Sequence, residues 1–388
     1  MCHENGGPPW AAPQIPDGSV TANSAGYFPG QRSSDRMVAG PTLNAWEDPP
    51  VSSARYTVVI ASRRPVTDTS EEHAAFTPLE ANVVVVEASD SATLVAGLKE
   101  ADVVVNRFGR FDAKTISQLE RCRAIIQPST GYDMIDVEAA TEHGIVVMNL
   151  PFQCIDEVAN HALAFVLALN RKLGVAQTRV RNGEWDPTTY LPIGPITGET
   201  FGLLGFGNIA RATARRAQAF DLNVVAYDPF VDPSIAREMN VELLSLDDLL
   251  GRADYVSCHL PLNAQTRHSM NAERFHQMKP TAIFVNTARG PIVDERGIVE
   301  ALEKGWISAA GLDVLEQEPP DPTNPLLQMD NVIVTPHLAG TSSGTPPRQR
   351  RHVIETAVGY LKGEKPPGLL NAAAWERAQA KLASASRG

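Results

Sequence analysis

Residues 201–210 read FGLLGFGNIA and place a glycine-rich turn between an apolar strand and a helix. The pattern is G-x-G-x-x-A, in which Gly205 allows a tight turn and Gly207 lets the backbone approach a pyrophosphate. Ala210 lets the helix pack closely on the strand, and the unpaired N–H groups at the helix start attract phosphate. The segment therefore predicts a dinucleotide-binding turn. Its predicted contact residues are Gly205, Phe206, Gly207, Asn208 and Ile209.

A carboxylate at the end of the next strand supports this interpretation and indicates which dinucleotide binds. Asp228 follows Gly205 by 23 residues, where it would accept hydrogen bonds from the adenosine ribose hydroxyls. Its charge would repel a 2′-phosphate, and Pro229 and Phe230 follow it instead of an arginine. NAD is therefore predicted rather than NADP. The alternative is a purely structural glycine turn followed by an incidental aspartate.

Apolar and amphipathic segments alternate along the chain on both sides of this turn. Short strands joined by helices predict parallel sheets with right-handed crossovers, and we expect an α/β fold with two doubly wound domains in tandem. The strands of the first series are predicted at Tyr56–Ile60, Val83–Val86, Val103–Val105, Ala124–Ile126 and Ile145–Met148. Those of the second series are predicted at Thr200–Leu204, Val224–Tyr227, Tyr255–His259, Ala282–Asn286, Ala309–Leu312 and Val332–Thr335.

One long helix is predicted from about Ile155 to Asn182, ended by Gly183. Apolar residues from Val158 to Leu169 cover much of its circumference, which indicates burial either in its own core or against a second subunit. The other predicted helices are Ala92–Glu100, Ile135–His143, Asn208–Phe220, Leu246–Gly251 and Arg348–Lys362.

The composition excludes several classes of protein and partner. The 388 residues carry 34 basic and 45 acidic side chains, and a net charge of −11 gives no basic surface for nucleic acid or an anionic membrane. No apolar run approaches the ~20 residues of a membrane span, and the N-terminus has no apolar leader. Four scattered cysteines without a Cys-x-x-Cys pair favour a reducing cytoplasm and no metal site. Residues 1–50, with six glycines and eight prolines, predict a mostly disordered extension.

Reactive side chains follow the later strands of the second series. Arg289, Glu318 and His337 each come shortly after a predicted strand, and Asp313 directly ends one. Ligands of doubly wound sheets bind beyond the carboxyl ends of the strands. An arginine can hold a carboxylate through two charge-assisted bonds, and a histidine can exchange a proton near neutral pH while a glutamate fixes its tautomer. Taken singly, such residues are more often structural, and it is their occurrence together after a dinucleotide turn that predicts catalysis.

Several longer motifs, in order along the chain, resemble those of the D-isomer-specific 2-hydroxyacid dehydrogenases. The most specific are VNTARG at 285–290, DV-x-x-x-EP at 313–319 and TPHLAG at 335–340. The similarity extends from about residue 51 to residue 365. The other matching segments are GYDMID at 131–136, HGI at 143–145, NLP at 149–151, VANHAL at 158–163, GFGNIA at 205–210 and YDP at 227–229.

The resemblance implies a role for each reactive residue. Arg289 would bind the carboxylate and carbonyl of the substrate. His337 would be the general acid and base, and Glu318 would pair with it. Asp313 would contact the nicotinamide carboxamide. The resemblance therefore implies that the polar residues that follow these strands form an active site.

Backbone N–H groups around Gly131 and in the Asn106–Gly109 loop would, on the same resemblance, hold the substrate carboxylate. The residues implied for the substrate are Asn106, Arg107, Gly109 and Gly131. Those implied for NAD beyond the glycine turn and Asp228 are Thr130, Leu260, Pro261, Thr266, Thr287, Ala288, Arg289, Asp313, His337 and Gly340.

The family's chain crosses twice between its two domains, which implies the domain division. A flavodoxin-like substrate domain would comprise residues 51–150 and 336–365, and a Rossmann NAD domain residues 151–335, with a cleft between them. Residues 366–388 would form a C-terminal tail, either a peripheral helix or frayed. The apolar helix would lie at the two-fold interface of a homodimer. The prolines of Thr345–Pro347 are unusual for the family and predict an altered loop after His337.

The function expected is NAD-dependent interconversion of a small D-2-hydroxy acid and its 2-keto acid. An alternative is a corepressor-like protein that binds NAD as a sensor on the same fold. A formate dehydrogenase is disfavoured, because that relative carries glutamine where this chain has Glu318. Arg107 and Arg110 are either solvated loop charges or contacts for a second negative group on the substrate.

Overall fold

Five parallel strands form the first sheet of the chain, for which this computed structural model describes residues 54–385. They are β1 (Tyr56–Ser62), β2 (Ala81–Glu87), β3 (Val103–Arg107), β4 (Ala124–Ile126) and β5 (Val146–Met148). Their helices are α1 (Ser70–Phe76), α2 (Ser91–Gly97), α3 (Ala113–Ile116) and α4 (Val137–Glu142). The strand order β2-β1-β3-β4-β5 is that of flavodoxin-like sheets. The extension predicted for residues 1–50 lies outside the described residues.

Seven parallel strands form the second sheet, in the order β12-β11-β10-β9-β6-β7-β8. They are β6 (Thr200–Leu204), β7 (Asn223–Tyr227), β8 (Glu242–Leu243), β9 (Tyr255–Cys258), β10 (Ile283–Asn286), β11 (Ala309–Leu312) and β12 (Val332–Val334). The helices of this region are α5 (Ile155–Asn170), α6 (Leu173–Arg181), α7 (Asn208–Gln218), α8 (Pro233–Glu238), α9 (Leu246–Arg252), α10 (Ala272–His276) and α11 (Glu295–Glu303). This is a Rossmann order extended by one strand, and the order reverses between β6 and β9, where such sheets bind their ligands.

The predicted fold of two parallel-sheet α/β domains is confirmed. Buried apolar side chains lie on both faces of each sheet, and β4 and β10 are buried along their whole length. Parallel strands covered on both faces read as continuous apolar runs, which is why the sequence identifies them. In the described part of the chain, no helix is both long and apolar enough to cross a membrane.

The single helix predicted from Ile155 to Asn182 is wrong, because the structure has two helices there. They separate at Lys172, whose φ of 54° is left-handed and cannot continue an α-helix. No glycine or proline at Arg171 or Lys172 signals the break. The apolar side chains of α5 are buried within the chain, where α5 packs on α7, β10 and β11. By contrast, α6 has no buried residue.

Two C-terminal helices complete the packing of the first sheet. They are α12 (Thr345–Leu361) and α13 (Trp375–Ala385). The first begins three residues before the predicted Arg348, because Pro346 and Pro347 fit its first turn, where a missing N–H breaks no hydrogen bond. The second lies in the stretch expected to be a tail, and Trp375 is buried in the core of the first sheet. The 3-10 turns are Thr77–Leu79, Pro187–Tyr190, Gly290–Ile292, Pro325–Leu327 and Ala372–Ala374.

Candidate active site

A cavity of about 400 Å³ lies beside the carboxyl ends of the central strands of the second sheet. The loops that follow β4 and β5 of the first sheet border its other side. The structure therefore brings together residues that are far apart in the sequence. The predicted site residues that line it are Thr130, Gly131, Ile209, Leu260, Pro261, Thr287, Ala288, Arg289, Asp313, His337 and Gly340.

Other predicted site residues do not line this cavity. The glycine turn directly precedes Ile209, which lines the cavity. Glu318 does not line the cavity itself but is hydrogen-bonded to His337, which does. The full set outside the lining is Asn106, Arg107, Gly109, Gly205, Phe206, Gly207, Asn208, Asp228, Thr266 and Glu318. Sequence reasoning also missed polar residues that line the cavity, among them Asp133, Asn149, Gln153, Cys154, His259 and Gln349.

The glycine-rich turn has the geometry that a pyrophosphate requires. Gly205 has a φ of +89°, and a Cβ there would lie 3.0 Å from the carbonyl oxygen of His259. A Cβ on Gly207 would meet no atom within 4 Å, so this position faces open space beside the start of α7. Asp228 braces the turn, because its Oδ2 accepts the N–H of Phe206 at 2.8 Å. The turn, the helix start and the carboxylate thus form one unit that suits NAD.

Buried polar atoms in the cavity lining also suit a polar ligand. Oγ1 of Thr287 and Oε1 of Gln153 are buried and have no hydrogen-bond partner among the residues that the structure describes. Such atoms usually find a partner, and a bound dinucleotide could supply one. Burial lowers the pKa of His259 to about 4, so its imidazole is neutral near physiological pH. Its Nε2 atom lies 2.9 Å from Oγ of Ser257.

His337 and Glu318, the pair that the sequence predicts to exchange a proton, are in contact. Nδ1 of His337 lies 2.7 Å from Oε2 of Glu318, which leaves Nε2 as the ring nitrogen for a ligand. The hydrogen bond that His337 donates to Glu318 outweighs burial and raises the pKa of His337 above its usual value. Burial works to raise the pKa of Glu318, but the bond to His337 leaves it below its usual value. The pair favours an imidazolium beside an ionised carboxylate.

Asp313 holds the backbone segment that carries His337. Its buried carboxylate accepts hydrogen bonds from the N–H groups of Leu338 (2.8 Å) and Ala339 (2.9 Å) and from Oγ1 of Thr335 (2.6 Å). The N–H of His337 donates to the carbonyl oxygen of Asp313 at 2.8 Å. These bonds support the left-handed φ of 51° at His337. Asp313 therefore has a positioning role beside the nicotinamide contact that the resemblance implies.

His161 lies beneath this segment and was not predicted as a site residue. Its Nε2 atom is 3.0 Å from Oγ1 of Thr335. Because the Thr335 hydroxyl gives its single proton to Asp313, Nε2 of His161 must be the donor in this contact. The tautomer of His161 is thus set by the buried carboxylate.

Arg289 is held by residues of both sheets. Its Nε donates to Oδ1 of Asp133 at 2.7 Å, and its Nη1 donates to the carbonyl oxygen of Ala288 at 2.7 Å. Nη2 lies against Gly131, since a Cβ on that glycine would be 1.5 Å away. The sequence predicts roles for Arg289 and Gly131, but it predicts none for Asp133 of the GYDMID motif.

The loop after β3 uses two of its own N–H groups internally, and its expected role in binding the substrate carboxylate stays a prediction. The N–H groups of Phe108 and Gly109 donate to Oδ1 of Asn106 at 3.1 and 3.0 Å, so they are satisfied inside the loop. Asn106 also donates to Oε1 of Gln127 at 2.9 Å and thereby shapes the loop. The side chain of Arg107 is exposed.

The loop after β4 keeps its expected role as a prediction. Among the described backbone hydrogen bonds, none uses the N–H of Gly131 or Tyr132. Both residues line the cavity, and Gly131 lies against Arg289. These N–H groups can therefore contribute to binding a carboxylate.

Comparison with known proteins adds an independent finding. Residues 163–339 match the family model described as D-isomer specific 2-hydroxyacid dehydrogenase, NAD binding domain. The chain is 38% identical over 282 residues to a glyoxylate reductase of Korarchaeum cryptofilum, across 72% of this chain and 85% of that protein. It is 39% identical over 280 residues to a D-3-phosphoglycerate dehydrogenase of Methanocaldococcus jannaschii, across 72% of this chain but only 53% of that protein.

A solved structure extends the similarity to three dimensions. The D-lactate dehydrogenase of Aquifex aeolicus, complexed with NAD and lactic acid, superposes with a TM-score of 0.70 at 28% sequence identity. The match covers 79% of this chain and 96% of that chain. It therefore spans nearly the whole of that enzyme.

Proposed function

The chain belongs to the D-isomer-specific 2-hydroxyacid dehydrogenases, and from this premise we propose that it interconverts a small D-2-hydroxy acid and its 2-keto acid with NAD. One observation supports this most: Arg289 and the Glu318–His337 pair meet at one cavity beside the glycine-rich turn. Hydride transfer to a 2-keto acid needs a group for the acid, a proton donor and a dinucleotide site. Arg289, His337 and the glycine-rich turn beside the cavity are the residues proposed for these three tasks.

Each side chain has a defined part in the proposed reaction. NAD, when bound, supplies or accepts the hydride at the substrate's C2. In reduction, protonated His337 donates its proton to the keto oxygen, and Glu318 stabilises the imidazolium. Arg289 binds the carboxylate and stabilises the negative charge that develops on the oxygen. In oxidation, neutral His337 takes the hydroxyl proton.

NAD would be held by the glycine turn, the start of α7 and the loops that follow β9 and β10. Asp228 lies where the adenosine ribose is expected, and its charge opposes a 2′-phosphate. The preference for NADH over NADPH is therefore part of the proposal. The proposed substrate domain comprises residues 51–150 and 336–365 together with α13, whose Trp375 packs in the core of the first sheet, and the proposed NAD domain comprises residues 151–335.

We further propose that the protein is a cytoplasmic homodimer. The support for the dimer is the unburied helix α6 and the segment after it, where Leu173, Val180, Trp185 and Leu191 are exposed, Trp185 by 86%. Arg179 stacks on the ring of Tyr190 at 5.7 Å and joins this helix to that segment. An exposed apolar surface of this kind is typical of a protein contact, and a two-fold contact would cover it. The support for the cytoplasm is that the described cysteines are free thiols.

A substrate screen tests the proposed function. The purified protein is mixed with NADH and, separately, with glyoxylate, pyruvate and hydroxypyruvate, and NADH consumption is followed. We expect turnover with at least one of the three acids. Tight binding of NADH without turnover of any 2-keto acid would instead favour the corepressor-like alternative.

A further inference from the structure

Asp133 contacts the arginine that the proposed function assigns to the substrate. Its Oδ1 lies 2.7 Å from Nε of Arg289, although the two residues are 156 positions apart. Asp133 follows β4 of the first sheet, and Arg289 follows β10 of the second. We infer that Asp133 is a positioning residue that fixes the guanidinium of Arg289 for the substrate. The inference rests on the proposed role of Arg289 and names a further residue for the same reaction.

Three restraints act on the guanidinium of Arg289 and leave part of it free. Asp133 accepts the Nε–H, and the carbonyl oxygen of Ala288 accepts one Nη1–H. Gly131 leaves the space that Nη2 occupies, since a Cβ there would lie 1.5 Å from this nitrogen. A guanidinium has five N–H donors, so one N–H on Nη1 and two on Nη2 remain for a ligand. These are the donors that a bidentate carboxylate uses.

The surroundings make this ion pair an effective restraint. The side chains of Arg289 and Asp133 are only 26% and 20% exposed, so their attraction is weakly screened. Among the described residues, Asp133 alone has a carboxylate hydrogen-bonded to Arg289. Donors held in place before the reaction need no reorganisation as charge develops on the substrate. The free N–H groups of Arg289 are therefore preorganised.

A competing role for Asp133 is to occupy the place of the substrate carboxylate until the substrate displaces it. The geometry favours positioning, because Asp133 accepts only the Nε–H and leaves one Nη1–H and both Nη2–H groups for a ligand. Both carboxylates can then bind Arg289 together. Because the two loops belong to different sheets, Arg289 has this restraint only when the sheets adopt the arrangement seen here.

The test uses Asp133→Asn, which keeps the size and an acceptor oxygen but removes the charge. Asp156→Asn is the matched control, because Asp156 also pairs with an arginine at 2.7 Å, Arg216, outside the cavity. Steady-state kinetics with NADH and glyoxylate, NADH titration and calorimetric binding of oxalate are measured for each variant. Asp133→Asn and Arg289→Lys are also combined in a double-mutant cycle.

We expect Asp133→Asn to raise KM for glyoxylate, lower kcat and reduce kcat/KM about tenfold to a hundredfold, as misplacing a substrate-orienting group does. Oxalate should bind more weakly, whereas NADH binding should stay within about twofold, because the pair lies at the substrate end of the site. In the Arg289→Lys background, Asp133→Asn should have little further effect. The Asp156→Asn protein should match the parent.

Several results would overturn the inference. A lower KM and tighter oxalate binding would mean that Asp133 competes with the substrate. Equal losses in both backgrounds, or losses no greater than those of Asp156→Asn, would mean that Asp133 does not act through Arg289. Failure of the parent to turn over any 2-keto acid would instead contradict the proposed function, and oxalate binding would still decide the role of Asp133.

Discussion

Nδ1 of His337 lies 2.7 Å from Oε2 of Glu318, and this contact sets the protonation chemistry of the site. The shared hydrogen bond raises the pKa of His337 and helps to lower that of Glu318. The imidazolium therefore persists to a higher pH than that of an isolated histidine. Reduction of a keto acid needs this protonated form, so the pair is suited to the reductive direction near neutral pH.

Replacement of Glu318 by Gln should move the pH dependence of reduction toward acid. In the parent, kcat/KM for a keto acid should be high below the raised pKa of His337 and fall as pH rises through it. Glu318→Gln removes the charge that raises this pKa, so the decline should begin at lower pH and the rate at neutral pH should drop about tenfold. Kinetics across a pH series measure this, with Glu300→Gln of the surface pair with Lys304 as control. An unshifted profile would contradict the role of Glu318.

Cofactor preference should depend on Asp228. We expect kcat/KM to be at least about tenfold higher with NADH than with NADPH, because placing a phosphate against a carboxylate should cost more than ~1.4 kcal/mol. Asp228→Ala should reduce this ratio, mainly through weaker use of NADH, since the turn also loses the acceptor of the Phe206 N–H. Asp232→Asn, four residues further on, is the control. Equal kinetics of the parent with both cofactors would refute the prediction.

Arg107 and Arg110 should matter only for a substrate with a second negative group. Both side chains are exposed and lie outside the cavity lining. If either contacts the far end of such a substrate, its replacement by Ala should raise KM for that substrate and leave glyoxylate nearly unchanged. Lys114→Ala, on the following helix, is the control. If both variants handle all keto acids as the parent does, the arginines are solvated charges and the substrate has an uncharged tail.

The exposed apolar surface formed by α6 and the segment after it should form the dimer contact. Val180→Glu and Trp185→Glu should each convert a dimer into a monomer. Each substitution would bury an unpaired negative charge in the contact, and the two-fold symmetry would place that charge there from both subunits. Phe220→Glu, at an exposed position outside this segment, should leave the dimer intact. Light scattering at micromolar concentration measures the mass. A monomeric parent would rule out the dimer.

The sequence predicts the two-sheet fold well, because parallel strands covered on both faces leave unmistakable apolar runs. It fails where a feature depends on backbone conformation without a marker residue. The break at Lys172 has no glycine or proline, and the two-residue strand β8 is too short to leave a pattern. The apolar helix α5 fits a subunit interface or an internal core equally well, and only the structure distinguishes them.

In the candidate site, too, some residues could be predicted from the sequence and others could not. Arg289, Glu318 and His337 could be predicted because each follows a strand of one sheet. The contacts made by Asp133 and His161 depend on segments more than a hundred residues apart in the chain, which local patterns do not encode. The hydrogen bonds from the N–H groups of Phe108 and Gly109 to the side chain of Asn106 could not be predicted either, because they depend on the orientation of that side chain.

The most direct test of the central claim is the chirality of the product. Pyruvate and hydroxypyruvate are reduced with NADH by the parent and by His337→Gln, and the hydroxy acids are resolved on a chiral column. We expect a D-hydroxy acid from the parent and a loss in kcat of about 10²–10⁴-fold in the variant, the usual contribution of a general acid. An L-product, or an unchanged rate in His337→Gln, would contradict it.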